Sequence, residues 1–287
     1  MSIRTILAAA GGGASTSGAI DLACQLARRF AAHLEGFHVL PDTRAVFAAA
    51  GVGFGPASAA LAESVMETAA ANATQTHAAF DDIVGRHGIA PGSMPQLVAP
   101  GPSASWREEA GDAATLIARH GRFFDLVVLG RSDRVVHEPY TDTIEETLTR
   151  SGRPLLLAPP EPPSGIGYVV AVAWNGSPES VRALAVALPF LEKANAVSLI
   201  TVGDADAGGS LFALEYLAWH GVKGAHRTIA AGSSRHSGRI LLDAARDAGA
   251  DLLVMGAYGH APWREQLFGG ATRGAIAAMR LPLLLMH

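Results

Sequence analysis

Apolar positions along this chain follow two alternating periods. Short runs such as "TILAAA", "VVAVAW", "AVSLITV", "DLLVMG" and "PLLLMH" are hydrophobic throughout or nearly so, as strands of a parallel sheet covered on both faces must be. Between them the period becomes helical. After "VVAVAW", Ser177 stands as an N-cap with Pro178 at the first helical position. Val181, Leu184, Ala185, Leu188 and Leu191 then fall on one helix face. "GAHRTIA" reads as a further strand, residues 237–248 as a helix closing at Gly249, and residues 271–280 as a last helix. Strands alternating with helices predict right-handed βαβ units and a doubly wound α/β fold. Ligands of such folds sit at the carboxyl ends of the strands, where strand order reverses.

The chain also repeats itself. "DLVVLGRSDR" (125–134) returns as "DLLVMGAYGH" (251–260), and "RPLLLAP" from Arg153 returns as "LPLLLMH" from Leu281, at offsets of 126 and 128. "TILAAAGGGAST" lines up with "VVAVAWNGSPES" when Gly13 is set on Gly176. "APPEPPSGIG" (158–167) has the composition of a linker. The expectation is therefore two tandem doubly wound domains, 1–160 and 166–287, each a mostly parallel five-stranded sheet with helices on both faces. The first half carries an extra segment, 41–95, with an alanine-rich helix from Ala59 to His87, read as a lid or packing insertion or as a partner-binding loop.

Composition narrows the function classes. Apolar residues are 49% of the 287 and charged residues 17%, the balance of a well-buried globule. A formal charge of −4 without any Lys/Arg cluster gives no footprint for nucleic acid. No run approaches the roughly 20 apolar residues of a membrane span. The single cysteine, Cys24, excludes an internal disulfide framework, fits a reducing cytoplasm and reads as a small buried residue. "MSIRTILAAAGGGAS" has some features of a signal peptide, but its apolar part, residues 6–10, is shorter than the roughly 7 to 15 residues of a signal core. It is expected to be a buried strand of a cytoplasmic protein.

The chemistry concentrates in "GAYGHAPWREQLFGGAT" (256–272), between a strand and the last predicted helix. Gly256, Gly259 and Gly269 are separated by two and nine residues, and Gly270, Ala271 and Thr272 open that helix. Glycine lets backbone approach a ligand closely, a helix start offers unpaired N–H groups to phosphate, and Thr272 and His260 add donors. Neither G-x-x-x-x-G-K-[ST] nor G-x-G-x-x-G opens a helix here, so a Walker-type NTPase and a dinucleotide dehydrogenase are unsupported. G-x-S-x-G is absent, and the 11 histidines are scattered without the spacing of a zinc site. Glu108 and Glu109 in "SWREEAGDAA" are read as helical neighbours that do not face each other. Trp263 either packs or covers a ligand.

"DLLVMGAYGHAPWREQLFGGAT", the closing "LPLLLMH" and "VAVAWNGSPES" together resemble the universal stress protein family in its tandem form, over nearly the whole chain and most strongly over 251–287. The resemblance implies ATP, with or without Mg, in the second half on a G-x2-G-x9-G-[ST] pattern. Gly256, Gly259 and Gly269 match that pattern, Gly270 stands where Ser or Thr is usual, and Thr272 matches a further hydroxyl position. Asn175 stands where an aspartate is usual, and Val202 and Gly203 where adenine meets backbone. The implied activity is a stress response in which bound nucleotide alters partner contacts, with at most slow ATP hydrolysis. The alternative is an interaction module with both sites decayed.

In the first half Asp133 replaces Gly259, Thr143 replaces Gly269, and Ile144, Glu145 and Glu146 replace the helix-opening residues, with Gly12 at the place of Asn175. Two carboxylates at a helix start would repel phosphate, so this half is expected to bind no ATP there. Family members often pair through the last strand, which implies either a homodimer or an intrachain pseudo-dimer.

Overall fold

The computed structural model describes residues 2–11, 14–42, 56–92, 101–131, 138–159, 161, 163–203, 209–230, 237–257 and 279–287. The first half runs β1 (Thr5–Ala9), α1 (Ala14–Phe30), β2 (His33–Leu40), α2 (Pro56–Arg86), the very short β3 (Ala90–Pro91), β4 (Ser103–Ala110), α3 (Ala113–Gly121), β5 (Leu126–Gly130), α4 (Glu138–Arg150) and β6 (Leu155–Ala158). The second half runs β7 (Val169–Ala173), α5 (Pro178–Leu191), β8 (Ala196–Val202), α6 (Gly209–Trp219), β9 (Gly224–Ile229), α7 (Ser237–Asp247), β10 (Leu252–Gly256) and β11 (Leu283–Met286).

Among the described residues, eleven strands form one sheet, in the order β3-β4-β2-β1-β5-β6-β11-β10-β7-β8-β9. Within each half every pairing is parallel, and the order turns back beside the first strand, at β1/β5 and at β7/β10. The halves meet where β6 and β11 pair antiparallel, Leu156 opposite Leu284. Both leucines are essentially inaccessible. The last strands of the two halves thus pair with each other within the chain. The core has two layers: α1, α2, α5 and α6 cover one face of the sheet, while α3, α4 and α7 cover the other. Cys24 is buried, unpaired, in the first layer, and burial beside Asp21 pushes its thiol up to about 12.

The repeated Asp-Leu pair has a structural duty. Asp125 Oδ2 accepts from the backbone N–H of Arg4 (2.8 Å) and Thr5 (3.0 Å). Asp251 accepts from the N–H groups of Gly167 (2.7 Å), Tyr168 (2.9 Å) and Val169 (3.2 Å). Each aspartate thus satisfies the otherwise unpaired donors at the start of its half's first strand. These anchors set Thr5 equivalent to Val169, because Asp125 N bonds Thr5 O just as Asp251 N bonds Val169 O.

That register corrects several expectations. Matching Gly13 to Gly176 slips the first strand by one residue, so Gly11, not Gly12, occupies the place of Asn175. Hydrogen bonding fixes strand register, and glycine identity in a turn does not. Thr143, Ile144, Glu145 and Glu146 are not at a helix start, since α4 begins at Glu138 and Glu145 lies two turns in. Thr143 and Ile144 are buried, and Glu146 pairs with Arg150 at 2.8 Å. The repulsion expected from these carboxylates at a helix N-terminus therefore has no basis. Glu108 and Glu109 lie on β4, not on a helix, and project to opposite faces as alternation requires. Segment 41–95 contains α2, which supplies the connection from β2 to β4 and packs on α1 and β2. α6 fills the matching place in the second half and, apolar on all sides, carries no period that marks it in the sequence. Of the predicted helix 271–280, residues 271–278 lie outside the described residues, and Met279 and Arg280 are not helical.

Candidate functional site

The carboxyl edge of the second half is built where β7 and β10 part. β7 is followed by a buried Trp174 whose N–H bonds Ile200 O at 2.9 Å. The chain then turns through Asn175, whose Oδ1 accepts from Ser177 N at 3.1 Å. Ser177 caps α5 by accepting from Ser180 N at 3.2 Å, as the sequence predicts. Asn175 is exposed at the rim, and its side-chain N–H groups can donate to a ligand while the carbonyl holds the turn.

Val202 and Gly203, named together from sequence, are separated by the ladder. Gly203 N bonds Ile229 O at 2.8 Å, so its donor is committed to β9. Backbone groups alternate sides along a strand. Ile200 O meets Trp174 N, and Val202, two residues on, therefore aims its N–H and C=O to the β7 side as well. The last β7–β8 pair is Ala173 with Ile200, so those groups face the space beyond the end of β7, beside Asn175.

Gly256 closes the floor, for a reason the spacing did not reveal. A Cβ there would lie 2.6 Å from Glu179 C, 2.7 Å from Glu179 Cβ and 2.8 Å from Ser180 N. The first turn of α5 rests directly on the end of β10, and only glycine permits that approach. Ala257 N bonds Met286 O at 2.7 Å, and His287 Nδ1 lies 3.1 Å from Ala257 O. Gly259, His260, Gly269, Gly270, Ala271 and Thr272 lie outside the described residues, as do Asp133, Gly12 and Trp263.

The start of α5 already carries a negative group. Burial pushes the Glu179 carboxyl up, but hydrogen bonds from its own backbone and Ser177, with Arg182 beside it at 2.8 Å, hold it below the usual range. Arg182 Nε also donates to His287 O at 3.2 Å. The helix terminus is thus capped by Ser177 and complemented by Glu179.

The first half builds the same edge differently. Ala10 N bonds Phe37 O at 2.8 Å, the counterpart of Trp174 N to Ile200 O. Gly11 replaces Asn175, and the buried His38 places Nδ1 against Ala10 O at 2.5 Å. On β4, Glu109 bonds Arg119 and His120 (2.7 Å), and those hydrogen bonds, His120 first, hold its carboxyl below the usual range.

No protein-family model and no curated protein matches the sequence. Solved structures match the whole length. A universal stress protein from Archaeoglobus fulgidus DSM 4304 superposes with a TM-score of 0.67 at 14% identity, covering 99% of this chain and 96% of that one. The fold is that of the universal stress proteins. A protein of unknown function from Pseudomonas aeruginosa PAO1 shares this fold with a TM-score of 0.51 at 14% identity, over 99% of this chain and 92% of its own. A candidate universal stress protein from Pseudomonas aeruginosa UCBPP-PA14 shares it with a TM-score of 0.50 at 13% identity, over 99% and 93%. These matches span both halves of the chain. Among the described residues no helix is long and apolar enough to cross a membrane, and no group of three or more His, Cys, Asp or Glu is placed to hold a metal ion.

Proposed function

We propose that the chain is a tandem universal stress protein whose second half binds ATP, with or without Mg, and whose nucleotide state alters its contacts with protein partners in the cytoplasm. The observation that carries this reading is the backbone of Val202, aimed into the space past the end of β7 beside the exposed amide of Asn175. An adenine edge needs one donor and one acceptor of that kind, and Asn175 offers N–H groups to a ribose or phosphate oxygen. The start of α5 is not the seat of the phosphates, because Ser177 and Glu179 already complement it. That role is assigned from sequence to Gly259, His260, Gly269, Gly270, Ala271 and Thr272, with Gly256 letting the first turn of α5 close the floor. Bound ATP would change what residues 257–268 present to a partner. No described side chains form a nucleophile, base and orienting group together, so hydrolysis would be slow and incidental.

A second reading, a ligand-free interaction module, is favoured by one observation. The Asn175 carbonyl and Gly256 both have structural duties that need no ligand. Photolabelling with 8-azido-ATP separates the two. The nucleotide reading expects the label, competed by ATP, on a peptide containing Val202 or residues 256–272. Labelling confined to the first half, or label that ATP does not displace, contradicts it.

A further inference from the structure

The first half carries a second concavity, away from the nucleotide edge. β2 and β4 stay in register as far as Leu40 and Ala110, whereas β1 accompanies β2 only to Phe37. The ends of β2 and β4 therefore project beyond the sheet as a two-stranded ribbon, and α2 runs alongside it. Between ribbon and helix lies a groove of about 660 Å³, inside the roughly 300–1,000 Å³ typical of small-molecule sites.

The walls are apolar: Leu40 and Ala110 from the strands, Met66, Ala69 and Ala73 from α2. The alanines, one turn apart, leave the space that larger side chains would fill. The polar groups are His77, Asp81, Thr74 and Glu108, and among the described residues neither lysine nor arginine lines the groove. Glu108 is held in place from behind. Its Oε1 accepts the indole N–H of Trp106 at 2.8 Å, and His77 stacks on that indole with centroids 4.7 Å apart and planes within 4°. Trp106 lies over Gly36, where a Cβ would come within 2.6 Å of the Trp106 and Phe80 rings. Oε2 of Glu108 is left to accept from a ligand. Asp81, 3.7 Å from His77, adds a second negative charge on the helix wall.

We propose that this groove binds an amphipathic organic cation, an amine carrying an apolar body. The hydrocarbon lies along Leu40, Met66, Ala69 and Ala73, and the ammonium is taken by Glu108 at the mouth. A carboxylate or phosphate on the same body would meet the like charges of Glu108 and Asp81, with no lysine or arginine among the described lining residues to offset them and His77 already beside Asp81. The inference does not depend on nucleotide binding in the second half, so either can fail alone.

The test is calorimetric titration of the full chain with 4-phenylbutylamine and with 4-phenylbutyrate, which share a body and differ in charge. The amine is expected to bind one per chain and the carboxylate about tenfold more weakly or not at all. Glu108→Gln keeps an acceptor for Trp106. It should weaken the amine by up to about fivefold, the range of an exposed ion pair, and leave neutral 4-phenylbutanol unchanged. Ala69→Leu fills the groove and should abolish amine binding while the ATP titration and far-UV circular dichroism stay as in the parent. Equal binding of amine and carboxylate, no amine binding at millimolar concentration, or an affinity untouched by Glu108→Gln would overturn the proposal. Glu108→Gln, at an exposed position, decides the matter alone if Ala69→Leu fails to fold.

Discussion

Replacing Gly256 by alanine separates a glycine kept for packing from one kept for a ligand. The new methyl would sit 2.6–2.8 Å from three atoms of the first α5 turn, two of them backbone, where ordinary contact is about 3.4–4 Å. The turn cannot rotate away freely. Ser177 caps it through Ser180 N at 3.2 Å, and Arg182 ties Glu179 at 2.8 Å and the last residue's carbonyl at 3.2 Å. Relief therefore needs α5 to retreat from β10 by several tenths of an ångström, at the overpacking cost of about 1–3 kcal/mol. With a urea slope of roughly 2–3 kcal/mol/M for a chain of this size, the midpoint followed by circular dichroism should fall by about 0.3–1.5 M. Gly85→Ala, on α2 with nothing within 4 Å of the new Cβ, should leave the midpoint unchanged or raise it, since alanine is the better helix former. An unchanged midpoint for Gly256→Ala together with weakened ATP binding would refute the packing account and return Gly256 to a purely ligand-facing role.

Other outcomes follow from the same geometry. Asp251→Ala removes the acceptor for three backbone donors and should cost about 2–4 kcal/mol by urea denaturation; Asp125→Ala should behave alike, and a loss under 0.5 kcal/mol in both would contradict the anchoring role. Leu284→Ala at the antiparallel seam, where the side chain is buried, should cost about 2–5 kcal/mol by urea denaturation, and a loss under about 0.5 kcal/mol would contradict the packing of the seam. His33 bridges Ser103 (2.8 Å) and Ser105 (3.0 Å), and burial, opposed by the Glu35 charge, holds its pKa below 6.5. The unfolded chain therefore takes up this proton first as pH falls, and the stability present above pH 6.5 is lost through the window beneath it. Urea midpoints at about pH 7.5 and about pH 5.5 should differ less in His33→Asn than in the parent; an equal difference would remove His33 from the account.

The alternation of apolar runs and helical faces carried the fold, because parallel strands buried on both sides leave a strong signal and each half repeats it. The Ser177-Pro178 start of α5 was legible from local chemistry alone. α6 was not, since its apolar residues run all round the helix and give no period. β4 was mistaken for a helix because Ser103–Ala110 lies near the sheet's edge with a charged outer half, so burial did not mark it as a strand. The site was partly legible. Asn175, Val202 and Gly256 do gather at one edge. The duty of Gly256 toward α5, the division between Val202 and Gly203, and the anchoring by Asp125 and Asp251 depend on contacts across many residues, which spacing along the chain cannot express. The one-residue slip between Gly12 and Gly11 arose the same way: a run of three glycines matches a turn equally well in more than one register.

The most direct test of the central claim is a calorimetric titration of ATP, with and without Mg, into the full chain and its Gly259→Asp variant, which copies the first half's residue. The account predicts one ATP per chain for the parent and loss of binding in the variant, with the urea midpoint unchanged. Two sites per chain, or an affinity that Gly259→Asp leaves intact, would place the nucleotide elsewhere, and no binding at millimolar ATP would contradict the claim outright.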